Sequence, residues 1–143
     1  MPDEPLLYAV TTAARRGVAV ELFVSEWGDQ FMVSHAQCSY YQALLEAGVR
    51  IHLYPPPWIL HSKHFSIDDD VAVIGSSNMD MRSFALNYEV SLLLTGGDVV
   101  ARFRAVEDGY RAMTRELTLD EWQQRSRGQR YLDNTMRLTA ALQ

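Results

Sequence analysis

Six residues at fixed spacing could carry chemistry together: His61-x-Lys63-x4-Asp68-x6-Gly75-Ser76-x-Asn78. The pattern around them predicts an extended strand over residues 60–67, on which His61 and Lys63 leave the same face. An imidazole attacks phosphorus or passes a proton at neutral pH. An ammonium beside it offsets the charge on non-bridging oxygens. Gly75 lets backbone N–H groups approach a phosphate closely, and Ser76 and Asn78 add neutral donors. Glu89 falls in the next predicted strand, where a carboxylate can fix the tautomer of His61 through Nδ1. With average residue usage these six positions coincide on the order of once in 10^8 starts. That specificity far exceeds that of a lone glycine-rich turn.

The surrounding elements must bring these side chains together. A local pattern occurs twice: an amphipathic helix-like run, a glycine, then an alternating β-branched run. Residues 6–16 lead to Gly17 and 18–24; residues 34–47 lead to Gly48 and 49–54. Each glycine sits where a helix end needs a left-handed backbone, and each following run alternates as a strand does. Repeated helix–Gly–strand units predict an α/β fold, a mixed but mainly parallel sheet flanked by helices. Pro55-Pro56-Pro57 ends the second strand. A hairpin is then expected, with residues 60–67 pairing with 71–74 across the turn Asp68-Asp69-Asp70, so that Gly75-Ser76-Ser77-Asn78 lies beside His61. Residues 87–95 read as a further strand and 98–117 as an amphipathic helix. Thr118-Leu-Asp-Glu121 reads as a capping box.

Composition bounds the partners. The 143 residues form one domain's worth of chain, with 48% hydrophobic and 22% charged content and a net charge of −5. A phosphate-backbone binder needs clustered excess Lys and Arg, so nucleic acid is not an expected partner. The single cysteine, Cys38, excludes an internal disulfide and a cysteine zinc site, and reads as a small core residue. No apolar run reaches the ~20 residues of a membrane span, and the N-terminus lacks the features of a signal peptide. Any membrane association of this chain alone is therefore expected to be peripheral. Arg102, Arg104, Arg111 and Arg115, interspersed with acids, read as a solvated face. The methionines and aromatics read as core filling, and Pro55-Pro-Pro-Trp-Ile-Leu60 as a buried strand entry. The alternative for that last segment is an apolar tip that dips into lipid.

The motif and its flanks resemble the phospholipase D superfamily. The run from Leu60 to Val90, with its extension Asn78-x-Asp80-x-Arg82-Ser83, is similar to the second catalytic motif of bacterial cardiolipin synthases, as is the upstream run from Ser39 to Arg50. The similarity covers essentially the whole chain, residues 1–143, as one domain with one motif, and is weakest in the C-terminal tail. The resemblance implies a phosphatidyltransferase that works through a phosphohistidine, joining two phosphatidylglycerols into cardiolipin and glycerol. His61 is then either the nucleophile or the general acid. Lys63, Ser76 and Asn78 bind phosphate, and Glu89 orients His61. Asp68 and Gly75 are motif residues of structural character. Asp80 and Arg82 either support the fold or position the headgroup. Neither a metal nor another cofactor is implied, because the motif's cations are side chains.

Such chemistry needs a second proton-transfer group, and His35, His52 and His64 lack the motif's companions. A second motif is expected either from a preceding half, in which case this chain is a fragment that also lacks the first strand of its domain, or from a homodimer mate. In its full context the protein is expected at the bacterial cytoplasmic membrane. Two other functions remain open: a phospholipase D-type hydrolase with water as acceptor, and an inactive half-domain that completes a partner's site.

Overall fold

A computed structural model describes residues 2–28 and 30–138. Helix α1 (Glu4–Arg15) starts at Asp3, whose carboxylate accepts the Leu6 amide at 2.9 Å. Pro5 occupies the first turn, where no N–H is required. The helix stops ahead of Gly17, which adopts φ 92°, and β1 (Glu21–Ser25) follows. The second repeat differs from expectation, because residues 34–47 do not form one helix. They divide into α2 (Phe31–Cys38) and α3 (Tyr41–Glu46). At the break the Ser39 hydroxyl donates to the Ala36 carbonyl at 2.6 Å, the local side-chain bond by which serine competes with helix continuation. Gly48, at φ 94°, then leads into β2 (Arg50–Tyr54).

The hairpin follows as β3 (His64–Ile67) and β4 (Val71–Gly75), then α4 (Met81–Ala85) and β5 (Ser91–Thr95). Helix α5 (Gly97–Met113) ends sooner than the sequence pattern indicated. Thr114 turns extended, and β6 (Arg115–Leu117) leads to α6 (Leu119–Gln123) and α7 (Arg127–Arg137). Thr118 caps α6 through the Glu121 amide at 3.2 Å. The Glu121 carboxylate bonds Arg115.

The mixed α/β class is as expected, with a smaller parallel share. β1 pairs parallel with β2, β6 joins β2 antiparallel, and β3-β4-β5 form an antiparallel sheet. Parallel pairing stays with the two helix–Gly–strand units. The hairpin and the strand that replaces the end of α5 are antiparallel by connection.

The core is built on the first sheet, where Tyr40, Tyr41, Leu44, Val49, Ile51, Leu53, Leu117 and Trp122 are buried together. Helix α5 packs on the second sheet and on β2, with Val100 fully buried. Of its arginines, Arg102 stays on a solvated face, but Arg104 and Arg111 do not. Arg111 holds Glu21 of β1 at 2.5 Å, and Arg104 donates from Nε to the Asp68 carbonyl at 2.8 Å. Arg115, in β6, pairs with Glu26 at 2.6 Å; Arg102 makes an exposed pair with Asp98. These contacts tie α5 to the turn of the hairpin and to β1. Several methionines and aromatics also lie outside the core: Met79, Met81, Phe84 and Tyr88 are exposed, on the segment that follows the motif.

Candidate active site

The motif gathers at the ends of β3, β4 and β5. His61 and Lys63 precede β3 rather than lying within it, because the ladder bonds of the hairpin begin at His64. One further main-chain bond, from Gly75 N–H to the Lys63 carbonyl at 3.0 Å, carries the pairing as far as Lys63. The two side chains meet as the spacing predicts. Lys63 Nζ lies 3.2 Å from His61 Nε2, 3.4 Å from Nδ1 and 3.2 Å from the His61 carbonyl oxygen. An ammonium only donates, so the ring nitrogen that takes its proton is an acceptor.

Gly75 is required for a reason the sequence did not disclose. A Cβ there would lie 2.8 Å from the Ser91 Cα and closer still to the Val90 carbonyl oxygen. The start of β5 therefore presses on bare backbone. The amides at this point are also occupied, since Gly75 N–H serves Lys63 and Ser76 N–H donates to the Val90 carbonyl at 3.0 Å. The glycine allows close strand approach, and neither amide is free to serve a ligand.

The Ser76 side chain supplies a donor. Its hydroxyl donates to Glu89 Oε2 and accepts the Val90 amide at 3.1 Å. The Ser76 hydroxyl above all, then Ser83, Asn87 and the charge of Lys63, hold the Glu89 carboxyl below its ordinary value of 4.5. Glu89 thus remains ionised, but it meets Ser76 and not His61. β4 lies between the strands that His61 and Glu89 precede. The anticipated Nδ1 contact is not made among the described residues.

Asn78 is exposed, and its N–H donates to the Ser83 hydroxyl at 3.1 Å. Asp80 caps α4 by accepting the Ser83 amide at 2.7 Å, which supports the fold. Ser83 is buried and links the cap, Asn78 and Glu89. Sequence reasoning treated it only as part of the extension; the helix-start pattern of Asp80 was the available signal. Asp68 sits in the turn at φ 49° with its carbonyl bound by Arg104, a structural position. Arg82 is exposed on α4.

The other histidines stand apart from this group. His64 faces α5, with Nδ1 2.6 Å from Ser62 Oγ and Nε2 3.6 Å from Glu107. His35 bonds the buried Asp133 at 2.6 Å, and His52 is buried, stacked on Phe23. Burial pushes the Cys38 thiol up to about 11, as suits an inert thiol. Trp58 and Ile59 are not a buried strand entry: they are 68% and 51% exposed, just ahead of His61. Among the described residues no three His, Cys, Asp or Glu side chains are grouped to hold a metal, and no helix is long and apolar enough to cross a membrane.

The architecture is that of the phospholipase D fold. It matches the crystal structure of a phospholipase D family member, Nuc from Salmonella typhimurium, with a TM-score of 0.69 at 19% identity, covering 82% of this chain and 76% of that one. Within that fold, residues 1–108 match the family model described as the cardiolipin synthase, PLD-like domain, and the chain belongs to that family. Cardiolipin synthase A of Serratia proteamaculans is 38% identical over 125 residues, spanning 87% of this chain and 26% of the relative. Cardiolipin synthase of Halalkalibacterium halodurans is 38% identical over 144 residues, spanning 99% and 28%. The chain thus spans about a quarter of the length of the curated relatives it matches. The matched residues 1–108 include the whole motif, Glu89 and most of α5.

Proposed function

We propose that this domain supplies one half of a phosphatidyltransferase site that joins two phosphatidylglycerols into cardiolipin and glycerol. The carrying observation is the Lys63 ammonium set against the His61 imidazole beside the Ser76–Glu89 pair, in a chain of the cardiolipin synthase family. In the first step a histidine nitrogen bonds to the phosphorus of one phosphatidylglycerol. The bond to the glycerol oxygen breaks, and a general acid protonates the departing alkoxide. In the second step that group takes the proton from the glycerol hydroxyl of another phosphatidylglycerol. This oxygen bonds to phosphorus and the phosphohistidine bond breaks. Lys63, Ser76 and Asn78 hold the phosphoryl oxygens, and His61 serves as nucleophile or acid.

The second proton-transfer group comes from another copy of the motif, in the remaining length of the protein or in a homodimer mate. β5 is an edge strand whose Leu92 and Leu93 are exposed, and such an edge calls for cover. The exposed Trp58 and Ile59 support contact with a lipid surface at the site mouth, since tryptophan favours the interface, and so support a place at the bacterial cytoplasmic membrane.

The test uses the protein that carries this domain, with phosphatidylglycerol labelled in its phosphate. Cardiolipin and glycerol are expected as products. Phosphatidic acid without cardiolipin would make the enzyme a hydrolase, and no turnover with the second motif present would leave a non-catalytic module. His61→Ala should abolish a labelled protein intermediate if His61 is the nucleophile; if the intermediate persists, His61 is the acid.

A further inference from the structure

We infer that the cavity at the Asn78 end of the site seats the headgroup of the acceptor, and that Arg82 binds the acceptor's own phosphodiester; this rests on the transferase reading above. The cavity encloses about 260 Å³ and is lined by Gln30, Asn78, Asp80, Arg82 and Asn87, with Val33 and Ser83 completing the wall. That is close to the lower bound of small-molecule sites, roughly 300 Å³, and suits a headgroup rather than acyl chains. Its lining brings together two parts of the chain distant in sequence: the start of α2 and the segment around α4.

The polar groups in it are largely unspent. Arg102, Arg104, Arg111, Arg115 and Arg125 each hold a carboxylate. Arg82 lines the cavity, and no side-chain partner holds its guanidinium among the described residues. Gln30 stands at the N-cap of α2 without using its side chain as a cap. The Asn78 side chain has no partner among the described residues; its backbone N–H bonds Ser83 and its carbonyl accepts from the Ser77 hydroxyl. Asp80 spends one carboxylate oxygen on the Ser83 amide, which leaves the other as an acceptor. The Asn87 side chain makes only a long contact, 3.5 Å, to Glu89 among the described residues. The cavity therefore offers a guanidinium, amide donors and acceptors, and one carboxylate oxygen. A purely anionic ligand would be repelled by that carboxylate, and a neutral polyol would leave the guanidinium unpaired. A glycerol bearing a phosphodiester satisfies both.

The cavity joins the motif through Asn78, which lines it, and through Asn87, whose side chain reaches Glu89. The reacting phosphate is held at Lys63, and the acceptor's hydroxyl must arrive there. Its own phosphate lies at the other end of a three-carbon glycerol, so a second cation is needed beyond the first phosphate. Asn78, which belongs both to the motif and to the cavity wall, marks where the two meet. Water as acceptor would need no such cavity. The substrate class implied is an alcohol that already carries an anionic phosphodiester. Arg82 is thus a positioning residue, selecting the acceptor without touching the bond that breaks.

Two measurements test this. In the protein that carries this domain, Arg82→Gln should lower the ratio of cardiolipin to phosphatidic acid about tenfold, by loss of a charge-assisted hydrogen bond. KM for the acceptor should rise more than kcat falls, and Arg82→Lys should restore part of the ratio. Loss of both products in step, or an unchanged ratio, overturns the assignment. Independently of turnover, glycerophosphoglycerol added to the protein should shift the side-chain amide resonances of Gln30, Asn78 and Asn87, with free glycerol far weaker and Arg82→Gln abolishing the shift. If the protein proves not to be a transferase, this binding alone decides: equal response to glycerol and glycerophosphoglycerol, or none, overturns the subsite. Because the Arg82 side chain holds no other element, its loss is not expected to unfold the domain.

Discussion

The Ser76 hydroxyl donates to the Glu89 carboxylate across the junction of β4 and β5, while the same oxygen accepts the Val90 amide at 3.1 Å. The hydroxyl proton is thus committed to the Glu89 carboxylate. Ser76→Ala removes the largest cause of the lowered Glu89 pKa. The Glu89 titration, followed by carboxyl carbon resonance, should move up toward its ordinary value of 4.5. Activity should fall about tenfold with the lost donor. An unmoved Glu89 titration would show that the Ser76 bond does not hold that carboxylate.

Acid should weaken the domain in a defined window. Glu21 is held below 4.5 by its bond from Arg111, with Arg50 and His52 adding to it, and Glu116 is held below by Arg50. A carboxylate with a depressed folded-state pKa stabilises fully above its unfolded value and loses that contribution as pH falls through the folded value. Thermal unfolding midpoints should therefore be level from pH 7 to about 5 and drop below about 4.5. Because Glu116 and Arg50 are exposed while Glu21 is partly buried, high salt should shrink the Glu116 share of the loss more than the Glu21 share. Glu21→Gln should flatten part of the drop; an identical profile would sink the assignment.

Gly75→Ala should cost about 1–3 kcal/mol, the usual range for forcing a methyl into packed structure, because the added carbon meets Val90 and Ser91 backbone. Chemical denaturation measures it. A neutral outcome would mean that β5 can retreat from β4 at no cost.

His61 and His64 should separate cleanly. His61 is exposed and touches only Lys63 among the described contacts, so His61→Ala should leave the unfolding midpoint nearly unchanged while abolishing turnover. His64 is packed between Ser62, Glu107, Phe103 and Tyr110. His64→Ala should destabilise by about 1–3 kcal/mol, chiefly through the partners it leaves behind. Equal stability of the two variants would contradict the placement of His64.

Trp58→Ala should weaken sedimentation with phosphatidylglycerol vesicles by about tenfold, given the apolar area it exposes. Turnover of a short-chain soluble substrate should be affected far less. If vesicle binding is unaltered, the lipid contact lies elsewhere.

The parts of this molecule that local pattern controls were legible in the sequence: the two glycines that end helical runs, the aspartate turn, and the pairing of His61 with Lys63. What sequence reasoning missed depended on which element came to lie beside which. Glu89 was placed against His61 because it falls in the next strand, but its carboxylate meets Ser76. The Gly75 position looked like a phosphate cradle, and its amides are consumed by the ladder. Arg111 and Arg104 of α5 read as solvent-facing because their partners, Glu21 and the Asp68 carbonyl, are remote in the chain. Ser83 could not be singled out, since its role arises only when α4 folds back on Asn78. Helix and strand ends erred where a side chain such as Ser39 diverted the backbone, a choice that periodicity does not register.

The main-chain bond from Gly75 to Lys63 has a practical corollary. It is the last bond of the hairpin before the reactive pair, so the single hydrogen on the Gly75 nitrogen behaves as a latch whose exchange with solvent times the fraying of the site. Amide exchange at Gly75, compared with that at Val73 one pleat further in, would read how often His61 and Lys63 come adrift from β4 while the rest of the sheet stays closed.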